Sequence, residues 1–151
     1  MTYYDGVDLL WSDDGDYILG RNGDIGDTSF EPLLAVIQDC YDRIKSDKGD
    51  YAESPKIGAS LSDDVGEPND AETALDIQKR IMNAMSIGTS INPGDVSIQI
   101  FPVNIHQVAV KFRLAVQPSS WNNKAKTAQL YLLYCYHENN VYPANSFPET
   151  I

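Results

Sequence analysis

The sequence predicts an α+β fold: two helices packed on a small antiparallel or mixed β-sheet centred on a hairpin. Three observations predict it. From Gln107 onward the residues alternate, with Val108, Val110, Phe112, Leu114 and Val116 on one face and Ala109, Lys111, Arg113 and Ala115 on the other. Side chains of a strand point to opposite faces with period two, so this is a strand with one buried face. Just before it, Val96, Ile98 and Ile100 alternate with Ser97, Gln99 and Phe101. Pro102 to His106 separates the two runs, which predicts a hairpin with a loop of about five residues. Finally, apolar residues recur at helical spacing in two earlier stretches.

In chain order, residues 1–27 form an acidic, turn-rich lead. Asp13-Asp14-Gly15-Asp16 and Arg21-Asn22-Gly23-Asp24 are turn signals flanking Tyr17-Ile18-Leu19, which predicts a small hairpin or meander. No internal repeat is read in the chain. The acids of the lead fail the calcium-loop pattern: counting from Asn22, the fifth position is Gly26 and the twelfth is Leu33, neither an oxygen ligand. They read as solvated turns.

Residues 28–137 read as one α+β domain. Thr28 to Ile44 is the first helix. Thr28 and Glu31 stand at the spacing of a capping box, and Pro32 falls in the first turn, where its missing N–H costs nothing. Phe30, Leu33, Leu34, Ile37, Tyr41 and Ile44 make its apolar stripe, flanked by Asp39, Asp42, Arg43 and Lys45. Ser46 to Pro68 is a long connection with Tyr51, Ile57, Leu61 and Val65 as apolar anchors, read as an ordered loop wrapping the body. Asp70 to Ser86 is the second helix. Asn69 is its expected cap, Ala74, Ile77, Ile81 and Met85 its main stripe, Leu75 and Met82 its margin, and Gly88 its stop. After the hairpin comes a polar connection from Pro118 to Thr127. A strand from Leu130 to His137 follows, so rich in apolar and aromatic residues that both faces should be covered. Residues 138–151, with Pro143 and Pro148, read as an extended tail.

The charge sets limits on partners. The 151 residues carry 22 acids and 11 bases, a net charge of -11. That balance argues against duplex nucleic acid and against anionic membrane, both of which demand a basic footprint. The charge is also uneven. Residues 1–72 hold 18 acids and 5 bases, net -13, which leaves +2 for residues 73–151. An acidic front half on a near-neutral β half points to different surroundings for the two. Cys40 and Cys135 read as buried free thiols. No signal peptide and no membrane-spanning run is read.

No catalytic constellation stands out. A glycosidase needs two carboxyls about 5–10 Å apart, one with a raised pKa in an apolar pocket, and most acids here fall in polar turns. Cys135 and His137 share a strand face but lack an activating setting, and His106 falls in the hairpin turn. Cysteine and histidine spacing forms no zinc set, and no glycine-rich phosphate loop precedes a helix. The expectation is a protein without catalytic residues, cofactor or metal.

The order of features resembles a known family. Lys48-Gly49-Asp50-Tyr51 and Pro55-Lys56-Ile57-Gly58-Ala59-Ser60-Leu61 follow the first helix, Thr73-Ala74 lies at the start of the second, and the strands Asp95-Val96-Ser97-Ile98 and Val108-Ala109-Val110-Lys111-Phe112 come next. From about Phe30 to Val116 this is similar to the baseplate wedge proteins of contractile phage tails, the W or gene-product-twenty-five-like family once described as lysozyme-like. Of that family's Glu-Pro-Arg triplet, Ile91-Asn92-Pro93-Gly94-Asp95 keeps only the proline.

The resemblance implies a structural virion protein of the tail baseplate, made in the host cytoplasm and built into a large multi-copy assembly. Its implied partners are other wedge proteins, the tail sheath subunit, and hub or tube proteins. Its implied mode is strand sharing, in which an open sheet edge recruits a partner's strand and templates the sheath. The expected edge is the hairpin together with the strand from Leu130, with Lys111, Arg113, Leu130, Leu132, Tyr134 and Tyr136 as interface residues. Two other readings stand beside it: a tail-associated cell-wall glycosidase, and an acidic adaptor that binds a basic partner through its front half.

Overall fold

A computed structural model describes residues 7–12, 16–30, 32–64, 66–87, 91–116, 126–135 and 140–143; at 30, 32, 126–131, 133, 135, 140, 142 and 143 it describes the backbone alone. It shows the α+β class. Helices α1 (Pro32–Lys45) and α2 (Ala71–Ser86) precede strands β1 (Val96–Asn104), β2 (Gln107–Val116), β3 (Lys126–Cys135) and β4 (Asn140–Pro143). The strands form one antiparallel sheet in the order β1-β2-β3-β4. Both helices lie on one face of it, α1 against β3 and α2 against β1.

Strand alternation builds the core. Val108, Val110, Phe112, Leu114 and Val116 are all buried and face the helices, while Arg113 on the other face is exposed. Register carries the same face across the sheet, pairing Val108 with Tyr134 and Val110 with Leu132 on one side and Ile98 with Phe112 on the other. Each large apolar side chain buried here contributes about 1.5–3 kcal/mol. The hairpin is tighter than its sequence suggests. Strand pairing continues through Pro102 to Asn104, and only Ile105 and His106 form the turn. Proline is tolerated because β1 is an edge strand, and a register shift between Pro102 and Asn104 absorbs one extra residue as a bulge. β3 likewise starts earlier than expected, at Lys126; Tyr136, His137 and the tail beyond Pro143 lie outside the described residues.

The helix ends differ from the expected caps. The Thr28 hydroxyl accepts the Asp8 N–H at 3.0 Å, and the Thr28 N–H donates to the Asp8 carbonyl at 2.9 Å, so this hydroxyl serves the lead. Asp27 caps the turn Thr28–Phe30 instead, accepting the Ser29 N–H at 3.0 Å. At α2 the cap is Asp70, which accepts the Thr73 N–H at 2.9 Å. Asn69 donates outward, to the Asn104 carbonyl at 2.6 Å, and so ties the helix entry to the hairpin. The buried face of α1 is also turned relative to the expected stripe: Ala35, Val36, Cys40, Arg43 and Ile44 are inside, whereas Leu33, Ile37 and Tyr41 are partly covered. Leu75, on the expected margin of α2, is exposed.

The long connection is ordered where it meets the body. The Ala59 N–H donates to the Arg43 carbonyl, and the Ser60 hydroxyl accepts the Lys48 N–H at 2.8 Å. Gly58 makes this crossing possible. Its φ is +132°, and a Cβ there would stand 2.6 Å from the Asp47 carbonyl carbon. Leu61 enters the core, and the buried Tyr134 hydroxyl donates to its carbonyl at 2.6 Å.

The lead contains an internal repeat that the sequence reading missed. Its backbone closes on itself with a period of eight. Leu10 donates to Gly26, Gly26 to Ile18, and Ile18 to Leu10, at 2.7–2.9 Å. Ser12 donates to Asp16, Gly20 to Asp24, and Thr28 to Asp8. The bridges Trp11↔Tyr17, Leu19↔Ile25 and Leu9↔Asp27 follow the same step. The result is a three-edged β element with approximate three-fold symmetry. Among the described residues no helix is long and apolar enough to cross a membrane.

Candidate interaction edge

Strand order decides which backbone groups are available to a partner. β2 is paired with β1 from Gln107 to Leu114 and with β3 throughout, and β3 is paired with β4 from Leu132 to Cys135. The outer strands are β1 and the four-residue β4; β1 is the longer, and among the described residues it pairs with β2 alone. β3 is also one-sided among the described residues from Lys126 to Tyr131, but that stretch begins with a charge.

The expected interface residues separate accordingly. Arg113 is exposed and Lys111 half-buried on the sheet face away from the helices, so both remain accessible to a neighbour, though on an interior strand. Leu132 and Tyr134 are 0% and 1% exposed, and their side chains serve the core. The density of apolar and aromatic residues in this run pointed to a strand covered on both faces; its place in the interface came from the resemblance alone. Leu130 pairs with Phe112, and its side chain is outside the described residues, as is the whole of Tyr136.

β1 has the chemistry of an unprotected edge. Val96 to Phe101 holds no charge, no glycine and no proline, and four of its six residues are β-branched or aromatic. Soluble proteins blunt such edges with lysine, proline or a bulge. Here the proline and the bulge come only after Phe101, and the tip beyond them is apolar, with Val103 and Ile105 49% and 78% exposed. The Asn104 side chain stiffens that tip: its oxygen accepts the His106 N–H and its nitrogen donates to Gln107 Oε1, both at 2.8 Å. Sequence reading included this strand in the expected edge, as the first half of the hairpin, but named no residue of it among the interface residues. The absence of charge in β1 was the signal that could have found it.

Grooves on the surface of the described residues carry titratable groups. One, about 420 Å³, is bordered by Asp63, Asp76 and Arg80 beside the buried Asp64. Arg80 Nε donates to Asp76 Oδ2 at 2.9 Å and lies 3.2 Å from Asp64 Oδ2, in charge contact but without a hydrogen bond to it. Burial first, then the Asp76 carboxylate, pushes the Asp64 carboxyl up to about 7 against the pull of Arg80. Its Oδ2 is buried and accepts no hydrogen bond. The second groove, about 360 Å³, is lined by Trp11, Asp39, Asp42, Tyr51 and Glu53 among others. There burial, followed by Asp39 and Asp8, pushes the Asp42 carboxyl up to about 6. Cys40 is buried and free, and its thiol is raised to about 12 by burial, so it stays protonated and unreactive. Among the described residues no cluster of His, Cys, Asp and Glu is placed to hold a metal ion.

Comparison with protein-family models, with curated proteins and with solved structures returned no match.

Proposed function

We propose that this chain is a structural, non-catalytic subunit of a contractile tail baseplate, an inner wedge protein that joins the sheath by sharing a strand across β1. The observation that carries the reading is the uncharged, one-sided edge Val96–Phe101. An exposed edge of this composition pairs indiscriminately unless a partner occupies it. Among the described residues none pairs with its outer side, which suits it to be joined. A partner strand laid along β1 gains backbone hydrogen bonds along its length and reads alternate side chains for specificity. The order of motifs from Phe30 to Val116 supplies the class of assembly.

Co-expression with wedge and sheath subunits tests this. The wild-type chain should elute as a stoichiometric complex by size exclusion with light scattering. Ser97→Lys with Gln99→Lys places charge at two exposed edge positions and should abolish the complex while leaving the monomer folded. A wild-type chain that stays monomeric beside every tail subunit would sink the proposal.

A second reading, a wall glycosidase, draws on the groove where the raised Asp42 carboxyl shares a wall with Glu53, Trp11 and Tyr51. It requires that purified chain lyse peptidoglycan and that Asp42→Asn end the activity.

A further inference from the structure

We propose that the three-edged N-terminal element is a second docking surface, and that its occupant is a protein surface carrying aliphatic side chains within a rim of Lys and Arg. The surface rests on how exposed apolar side chains are distributed. Of the eleven large apolar side chains that stand exposed among the described residues, seven fall between Val7 and Ile25. A cluster rimmed by polar residues is the signature of an interaction site, whereas scattered exposed leucines are ordinary.

The fold explains why they are outside. The period-eight backbone turns positions 9, 17 and 25, and positions 11, 19 and 27, into paired edge residues. One edge, Leu9↔Asp27, is committed to the body. The Gln38 side chain of α1 donates to the Leu9 carbonyl at 3.0 Å and accepts the Trp11 N–H at 3.3 Å. The other two edges are Trp11↔Tyr17, whose rings stack at 6.2 Å, and Leu19↔Ile25, where Leu19 is 68% exposed. The element's interior cannot take them in. At Gly26 there is no spare room: a Cβ there would lie 3.0 Å from the Ile18 carbonyl oxygen and 3.7 Å from the Leu10 side chain.

Charge selects the occupant. Residues 1–28 hold seven Asp and a single base, Arg21, and Asp16 and Asp24 sit exposed beside the apolar edges. Two copies of such a surface repel each other, which argues against self-association. A basic rim around aliphatic anchors satisfies both the charge and the apolar area. The proposal deepens the assembly reading, since a subunit with an open sheet edge and an independent acidic face joins two neighbours at once.

The test uses the full chain and a soluble peptide of alternating lysine and leucine as the stand-in occupant. Wild type should bind it, and binding should weaken about tenfold when the ionic strength rises from about 0.05 to about 0.5 M. Leu19→Ser with Ile25→Ser should weaken it by a similar factor at low salt with an unchanged thermal melt, because both side chains are exposed. Asp16→Asn should flatten the salt dependence. Equal binding by the double variant, no binding by wild type, or concentration-dependent self-association that the double variant removes would each overturn the proposal. Failure of the wild-type chain to join tail subunits would refute the baseplate reading and leave this surface to be judged by the peptide.

Discussion

Arg43 joins the two helices by hydrogen bonds as well as by packing. It is 7% exposed, and its guanidinium donates to Asp39 at 3.1 Å and to the carbonyls of Ala84 and Ile87 at 3.1 and 2.7 Å, closing the end of α2. Carbonyls at a helix C-terminus lack intrahelical donors, and a buried cation there meets both the hydrogen-bond demand and the negative end of the dipole. Arg43→Met keeps the bulk but strands those carbonyls, and should cost about 3 kcal/mol in urea unfolding. Gly58→Ala should cost about 2 kcal/mol or more by the same measurement, because backbone atoms of Ser46 and Asp47 occupy the space its Cβ needs. Neither role was legible in the sequence. Arg43 stands among charged residues that flank the apolar stripe, and only the approach of α2 turns it inward. Gly58 was visible as part of a motif, but its reason is a contact made by Ser46 and Asp47.

At the level of elements, what was legible depended on periodicity. Alternation in β2 specified both its buried face and its partners, because a one-residue slip would invert every side chain. The helices were legible as stripes, yet α1 is turned because it packs on α2 as well as on β3. Caps were misassigned where two candidates sit side by side, Thr28 beside Asp27 and Asn69 beside Asp70, and tertiary partners took the hydroxyl and the amide. The lead's repeat of eight was written in Asp8, Asp16 and Asp24 and in Gly15 and Gly23. It escaped notice because each unit is too short to bury a face of its own. For β1 the element-level expectation is that Ser97→Lys with Gln99→Lys changes unfolding stability by no more than about 0.5 kcal/mol. A large loss by denaturant titration would mean that those positions are structural and that the edge is not free.

The whole molecule is an acidic body, and among the described residues two carboxyls are held above their ordinary range. Asp42 near 6 and Asp64 near 7 keep protons in the folded chain that the unfolded chain has already lost above about pH 4. The folded state therefore binds more protons between about pH 4 and 7, and stability falls as pH rises through that window. Asp27, Asp70 and Asp76 act oppositely. Hydrogen bonds from Ser29, from Thr73, and from Asp64 then Arg80 hold them below the usual value, and their contribution is lost only as pH falls through their folded values. Thermal melts should therefore peak in mildly acidic buffer and decline toward pH 8, and Asp64→Asn should remove part of that decline. A melting temperature that rises steadily from pH 5 to pH 8 would contradict the burial of both groups.

The central claim concerns the backbone of β1, and amide hydrogen exchange reads it directly. In the free chain, those amides of Val96 to Phe101 that do not bond to β2 should exchange quickly, and addition of the partner tail subunit should slow them by at least about a hundredfold as they enter a shared ladder. Partner binding that leaves every β1 amide exchanging at its free rate would contradict strand sharing and move the interface elsewhere on the molecule.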